Sequence, residues 1–313
     1  MRDRSRDFAD NRFHRTYLLA NTIDRIASNP FGYLHDLEEI FVNGGIQSYL
    51  APFQKTSALH RFARSIIWHN FYNHMMTPVT LVPSDVQKFE GAPLYDEAVW
   101  VLPIEAAFEE YELEFMTFND YREACDLPAL PPGFHRHVRS EDHKSCDSNC
   151  VAINDDYGNY WNELQIAEPS LDLLLDRMSD EIFYVMFGNR SFLAHLHKLL
   201  AMYVTNAAFD EDFDTSKLFK HGTYASTLKR QRIPSWAKRA VEFRDRGMCT
   251  YCQRQLGTLH TPINHANFDH IVPLAKGGLN DATNLQLLCD DCNNKKSARS
   301  EPPGHLYERW YPV

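Results

Sequence analysis

The chain of 313 residues contains no charge-free apolar run of about 18 residues, so no segment reads as a membrane-spanning helix. It also lacks the short apolar stretch of a secretory signal near its start, where Arg2, Asp3, Arg4, Arg6 and Asp7 crowd together. Cysteines are few and odd in number: of seven, four form two Cys-x-x-Cys pairs, which suits thiols and metal better than a secreted disulfide framework. No internal repeat or low-complexity tract stands out. These absences lead to the expectation of a soluble, cytoplasmic protein with no membrane partner. What is present excludes a wholly disordered chain, because 44% hydrophobic and 13% aromatic residues supply apolar material for folded cores. The length predicts two domains.

Charge divides the chain unevenly. Residues 226–313 carry 13 Lys and Arg against 8 Asp and Glu, a balance of +5, whereas residues 1–225 carry 19 against 34, a balance of −15. A cationic module on an acidic body is the pattern of a nucleic-acid-handling domain attached to a part that does not bind. The boundary is therefore expected near residue 225, between an acidic, mainly helical domain and a small C-terminal module.

Apolar residues at three- and four-residue spacing predict helices over 13–26, 59–75, 171–187 and 192–204. Pro30, Pro52, Pro78 and Pro93 punctuate them. Residues 127–160 break the pattern, with Pro128, Pro131, Pro132 and Gly133 ahead of a polar segment, and read as one long loop. That loop holds His135, His137, His143, Cys146 and Cys150, a candidate second zinc site. A helix is expected over 235–246, with Trp236, Ala240 and Phe243 on one face and Gly247 ending it. The remaining histidines of the helical part, such as His60, His69 and His197, read as packed or surface residues.

Cys249-x-x-Cys252 and Cys289-x-x-Cys292 stand 36 residues apart, and each pair can deliver two thiolates to one tetrahedral ion. Four sulfur ligands close the coordination shell, so this expected zinc holds structure and leaves chemistry to the residues between the pairs. There, 268–272 reads as a strand, Lys276, Gly277 and Gly278 as a turn, 285–288 as a second strand and 290–299 as a helix.

Asp269-His270, Asn284 ahead of Leu285, and Asn293 after Cys292, set in this cysteine frame, resemble the HNH nuclease family with its ββα-metal fold, over roughly residues 233–299. The fold class expected is thus α+β: a mainly α-helical N-terminal domain followed by a small zinc-stabilised ββα-metal domain. The resemblance implies a phosphodiester hydrolase acting on DNA, of a kind often found as a bacterial restriction or anti-phage effector. Its pattern makes His270 the general base and Asp269 and Asn293 the ligands of a catalytic ion. Asn284 then holds the strand-turn geometry and orients His270. A carboxylate with an amide oxygen favours Mg²⁺ or Mn²⁺. Phosphate contacts are expected from Lys229, Arg230, Arg232, Arg239, Lys276, Lys295, Lys296 and Arg299, which position a backbone without reading bases. Asp290 and Asp291 depart from a basic DNA-facing turn. Two other readings stay open: a zinc-stabilised nucleic-acid-binding module without turnover, and a nuclease acting on RNA or structured junctions. Residues 1–225 resemble no family and are assigned recognition, regulation or a protein partner's surface.

Overall fold

The computed structural model describes residues 11–41, 45–74, 79–81, 99–128, 154–166, 170–207, 217–221, 226–257 and 266–297. The chain is mostly helical, with small sheets, as the spacing of its apolar residues predicts. Helices α1 (Asn11–Ser28), α2 (Leu34–Phe41) and α3 (Ala58–His74) precede a short hairpin of β1 (Val79–Leu81) and β2 (Val99–Val101). Helices α4 (Pro103–Glu110), α5 (Phe118–Ala124), α6 (Asn154–Ile166), α7 (Ser170–Met186) and α8 (Arg190–Ala207) follow. A second hairpin joins β3 (Phe219–His221) to β4 (Ser226–Leu228). The chain then runs through α9 (Ser235–Arg244), β5 (Ala266–His270), β6 (Leu285–Cys289) and α10 (Asp290–Lys296).

Two compact units form. One contains residues 1–19 and 64–181; the other combines 20–63 with 182–313. In the first, Glu105 is a buried carboxylate that accepts N–H bonds from Leu102 (2.6 Å) and Phe118 (2.7 Å). It thereby supplies a partner to the N-termini of both α4 and α5, satisfying donors that a helix start leaves open. Aromatic packing continues from there, with Phe118 against Tyr160 at 5.2 Å and Trp68 edge-on to Trp161 at 5.7 Å. Tyr160 and Trp161 explain a correction to the expected loop over 127–160. Both are buried at helical spacing with Leu164, so α6 already begins at Asn154. The cluster from His135 to Cys150 lies outside the described residues.

The second unit has an apolar centre made by α2, α3 and α8. Phe41 packs on Phe62 and Tyr203 at 6.1 and 4.5 Å. Leu193, Leu196, Leu200 and Val204 bury one stripe of α8 at three- and four-residue steps. His197 lies on the same stripe and is fully buried. Helix α9 is rotated relative to expectation: Ala237 and Val241 are buried while Phe243 is 88% exposed. The cause is polar. Arg244 and Asp245 turn inward as a buried pair, Nε to Oδ1 at 2.8 Å, and their anchoring fixes which side of the helix faces the core.

The basic C-terminal residues are joined to the helical ones within this unit. The Asp281 carboxylate accepts from the Ala58 N–H at the start of α3 (3.0 Å), the Asn280 carbonyl accepts from the Phe53 N–H (2.8 Å), and Arg244 lies over the Phe187 ring at 5.1 Å. A fragment beginning at Ser226 loses all three and opens surface once covered by α8. Its far- and near-ultraviolet dichroism should show loss of fixed tertiary packing even with zinc supplied; a cooperative thermal transition in that fragment would contradict the expectation.

Candidate functional site

The two cysteine pairs arrive from different local structures. After α9, Arg246 and Gly247 both adopt positive φ (55° and 64°), reversing the chain into the bridge between Met248 and Gln255. Cys249 and Cys252 project from this turn. Cys289 closes β6 and serves as N-cap of α10, accepting from the Cys292 N–H at 3.5 Å. All four Sγ atoms lie within 4.8 Å of one another, with Cys252 and Cys289 at 3.8 Å. A tetrahedron with metal–sulfur bonds of about 2.3 Å has edges of about 3.8 Å, so the cluster could hold a zinc ion. Burial opposes the Cys249 thiolate, but bonds from the backbone of Cys252, Cys289 and Tyr251 outweigh it and bring the pKa down to about 7. Burial and the neighbouring thiols push Cys292 strongly up. Four crowded thiols thus resist ionising together without a cation, which is the electrostatic character of a metal site.

Strands β5 and β6 pair antiparallel, from Ala266 opposite Cys289 to His270 opposite Leu285. The outer edge of β6 is satisfied without a third strand. The Leu287 N–H donates to Asp245 at 2.9 Å, its carbonyl accepts from the Thr250 N–H at 2.9 Å, and Arg244 donates to the Leu285 carbonyl at 2.5 Å. Asp245 could have been noticed in the sequence, since it follows Ala237 and Val241 at steps of four and places a carboxylate on an apolar stripe.

The ladder stops at His270, two residues before the expected strand end, and Asn284 explains why. Its carbonyl accepts from the Ile271 N–H (2.6 Å). Its side chain accepts from the Val272 N–H (2.9 Å) and donates to the carbonyls of Val272 (3.0 Å) and Leu279 (2.9 Å). Val272 therefore has no backbone group left for a strand partner. The turn between is tight enough to demand glycine: a Cβ on Gly278 would sit 1.9 Å from the Val272 oxygen. Below it, Asp281 accepts from the N–H and hydroxyl of Thr283 at 2.8 and 2.6 Å, and Thr283 meets His197 Nε2 at 2.8 Å. Asn280, Asp281 and Thr283 were not singled out by sequence reasoning, because each acts through a partner far away in the chain; His197, read as packed or surface, is packed.

His270 is 2% exposed, and neither ring nitrogen makes a hydrogen bond to a described residue. Burial, and next the Arg230 charge, pull its pKa down to about 4, with Asp269 and the Asn280 side chain acting the other way. The ring is neutral at pH 7. His270 and Asp269 line a cavity of about 260 Å³ together with Arg230, Pro273, Leu274 and Ala275. Asn293 is half-buried on α10 and does not line that cavity. Asp269 accepts from Lys296 Nζ at 2.7 Å, and the same Nζ donates to the His270 carbonyl at 2.8 Å. Lys296, expected at a phosphate surface, is instead 1% exposed, because its ammonium balances the Asp269 carboxylate. Lys229, Arg230, Arg232, Arg239, Lys276 and Lys295 are exposed; Arg299 lies outside the described residues. Asp291 pairs with Arg254 at 3.4 Å and Asp290 accepts from Asn267 at 2.7 Å, so local partners offset the acidic pair.

Two outcomes follow from these buried groups. Burial holds His197 neutral, its pKa pushed down to about 3. The unfolded chain takes up this proton below about pH 6.5 and the folded chain does not, so stability falls as pH drops through that value. Urea midpoints at pH 7 and 5.5 should drop less for His197→Gln than for the unaltered protein; equal drops would remove His197 from the account. Replacing Cys249 or Cys292 by Ser should unfold the C-terminal segment and lower bound zinc, measured by elemental analysis, since a structural ion contributes folding free energy directly.

A protein-family model described as HNH endonuclease matches residues 249–299. No curated protein and no solved structure matches the chain. The matched residues span both cysteine pairs, the β5–β6 hairpin and α10. The C-terminal region of this chain therefore carries an HNH endonuclease domain, with its four cysteines gathered in one cluster.

Proposed function

We propose that the protein is a metal-dependent endonuclease that hydrolyses phosphodiester bonds in DNA. Its nuclease residues lie within 226–313, and residues 1–225 serve recognition, regulation or a protein partner. The observation that carries the reading is His270, neutral and without a hydrogen-bond partner among the described residues, facing a cavity beside Asp269 inside the matched segment. Mere nucleic-acid binding needs neither residue. A restriction or anti-phage role rests on the family resemblance alone.

The half-buried Asp269 carboxylate beside the His270 ring fits a hard divalent ion at the cavity; the family pattern would add Asn293 as a second ligand, from a place on α10 that is not among the residues lining the cavity. Mg²⁺ or Mn²⁺ bound there supplies Lewis-acid stabilisation of the charge that builds on phosphate oxygens. The chain's own residues do the rest. His270 takes a proton from water as the water oxygen bonds to phosphorus, the bond from phosphorus to the departing sugar oxygen breaks, and that oxygen recovers a proton from solvent. Asn284 keeps His270 at the end of the ladder, where its ring faces the cavity. The four cysteines, closed around zinc, anchor α10 and the end of β6.

Incubation with supercoiled plasmid, linear duplex and RNA, each with EDTA, Mg²⁺ or Mn²⁺, tests the reading. DNA cleavage that EDTA abolishes is the expected result; binding without cleavage under every condition would favour a non-catalytic module. His270→Ala should slow cleavage about a hundredfold or more while duplex affinity and bound zinc stay near their original values, since general-base removal acts on the transition state.

A further inference from the structure

Arg230 lines the cavity beside His270 yet lies 19 residues before the segment that the family model matches. It follows β4 on a short extended stretch whose backbone is gripped on both sides by one side chain. The Asn280 amide donates from Nδ2 to the Lys229 carbonyl at 2.9 Å and accepts at Oδ1 from the Gln231 N–H at 3.4 Å. Asn280 is itself 4% exposed, and the Lys229 N–H donates to the Leu218 carbonyl at 2.8 Å. An amide carries its donor and its acceptor on separate atoms, so it can bridge two backbone groups in this way. The three-residue segment is thus tied to the turn between β5 and β6, the same turn whose other end Asn284 holds.

The Arg230 guanidinium is exposed and makes no hydrogen bond or ion pair with a described residue. The Lys296 ammonium is buried and engaged with Asp269 and the His270 carbonyl. Arg230 therefore brings a positive charge to the mouth of a cavity whose wall, Pro273, Leu274 and Ala275, is apolar. A planar fork of N–H donors at such an edge matches two oxygens of a phosphodiester. Packing among the described residues does not require an arginine here, since the side chain is exposed and carries no bond to any of them.

We propose that Arg230 binds the non-bridging oxygens of the phosphodiester that is cut, and that Asn280 is the positioning residue that holds Arg230 over the cavity. The proposal rests on the nuclease reading and extends the site beyond the matched segment.

The test uses the full chain with Mg²⁺, measuring cleavage of duplex DNA at saturating enzyme, the Mg²⁺ concentration for half-maximal rate, and duplex affinity in a His270→Ala background. Arg230→Gln should lower the saturated rate about a hundredfold, as loss of a donor to developing phosphate charge does, with Mg²⁺ dependence and zinc content unchanged. Arg230→Lys should recover part of that loss, because an ammonium keeps the charge and lacks the fork. Asn280→Ala should lower the rate in the same direction, and the double variant should lose clearly less than the product of the two single losses, any excess over Arg230→Gln alone reflecting the separate influence of Asn280 on His270. Asn280→Asp keeps the acceptor for Gln231 and loses the donor to Lys229, giving a second reading if the alanine variant does not fold. A protein that cuts DNA and whose Arg230→Gln form cuts within about twofold of it overturns this inference and leaves the nuclease reading standing. So does a loss confined to affinity. An unaltered protein that cuts no DNA overturns the nuclease reading itself.

Discussion

The side-chain amide of Asn284 is the interaction on which the C-terminal structure turns. A hairpin whose strands are joined by fourteen residues cannot rely on a tight turn to keep its ends together. Here a buried amide makes three hydrogen bonds to backbone groups of Val272 and Leu279, replacing the ladder where it stops and drawing the turn back onto itself. A buried amide left unpaired is destabilising by roughly 1–3 kcal/mol, so this one is stable only because its partners are fixed. That fixation places His270 at the end of the strand with its ring in the cavity.

Around this amide the unit buries an unusual number of polar groups, among them Asp245, Asp281, Thr283, His197 and Lys296. Each has a specific partner, a backbone group for Asp245, Asp281 and Lys296 and a side chain in the Thr283–His197 contact. Buried polar networks of this kind define geometry more sharply than apolar packing does, because a small displacement breaks directional bonds. They also explain why the basic C-terminal residues share a compact unit with 20–63 and 182–207. Charge separated these stretches in the sequence; hydrogen bonds across the Asp281 and His197 contacts join them in space.

What was legible in the sequence was whatever has a short period or a fixed spacing. The helices of the N-terminal region followed from three- and four-residue apolar steps, and the cysteine cluster and the β-β-α order followed from the spacing within residues 249–299. Long-range polar pairing was not legible. Lys296 looked like a surface cation because nothing nearby in the chain predicts a carboxylate 27 residues earlier. The face of α9 was misplaced by one residue for a similar reason, since apolar spacing favoured Phe243 and the Arg244–Asp245 pair decided otherwise. Asn280 carried no motif at all, and its two-sided hold on residues 229–231 becomes visible only with the backbone in place.

The Lys296–Asp269 pair separates two kinds of dependence on metal within one small fold. The cysteine cluster gathers thiols that resist ionising together, so its assembly and its ion belong to one event. The Asp269 carboxylate is already balanced by an internal ammonium, so the strand that bears it is electrostatically complete in the folded chain. The hairpin can therefore close with its carboxylate already paired, whereas the cysteine cluster gains its full stability only when a cation offsets its thiolates.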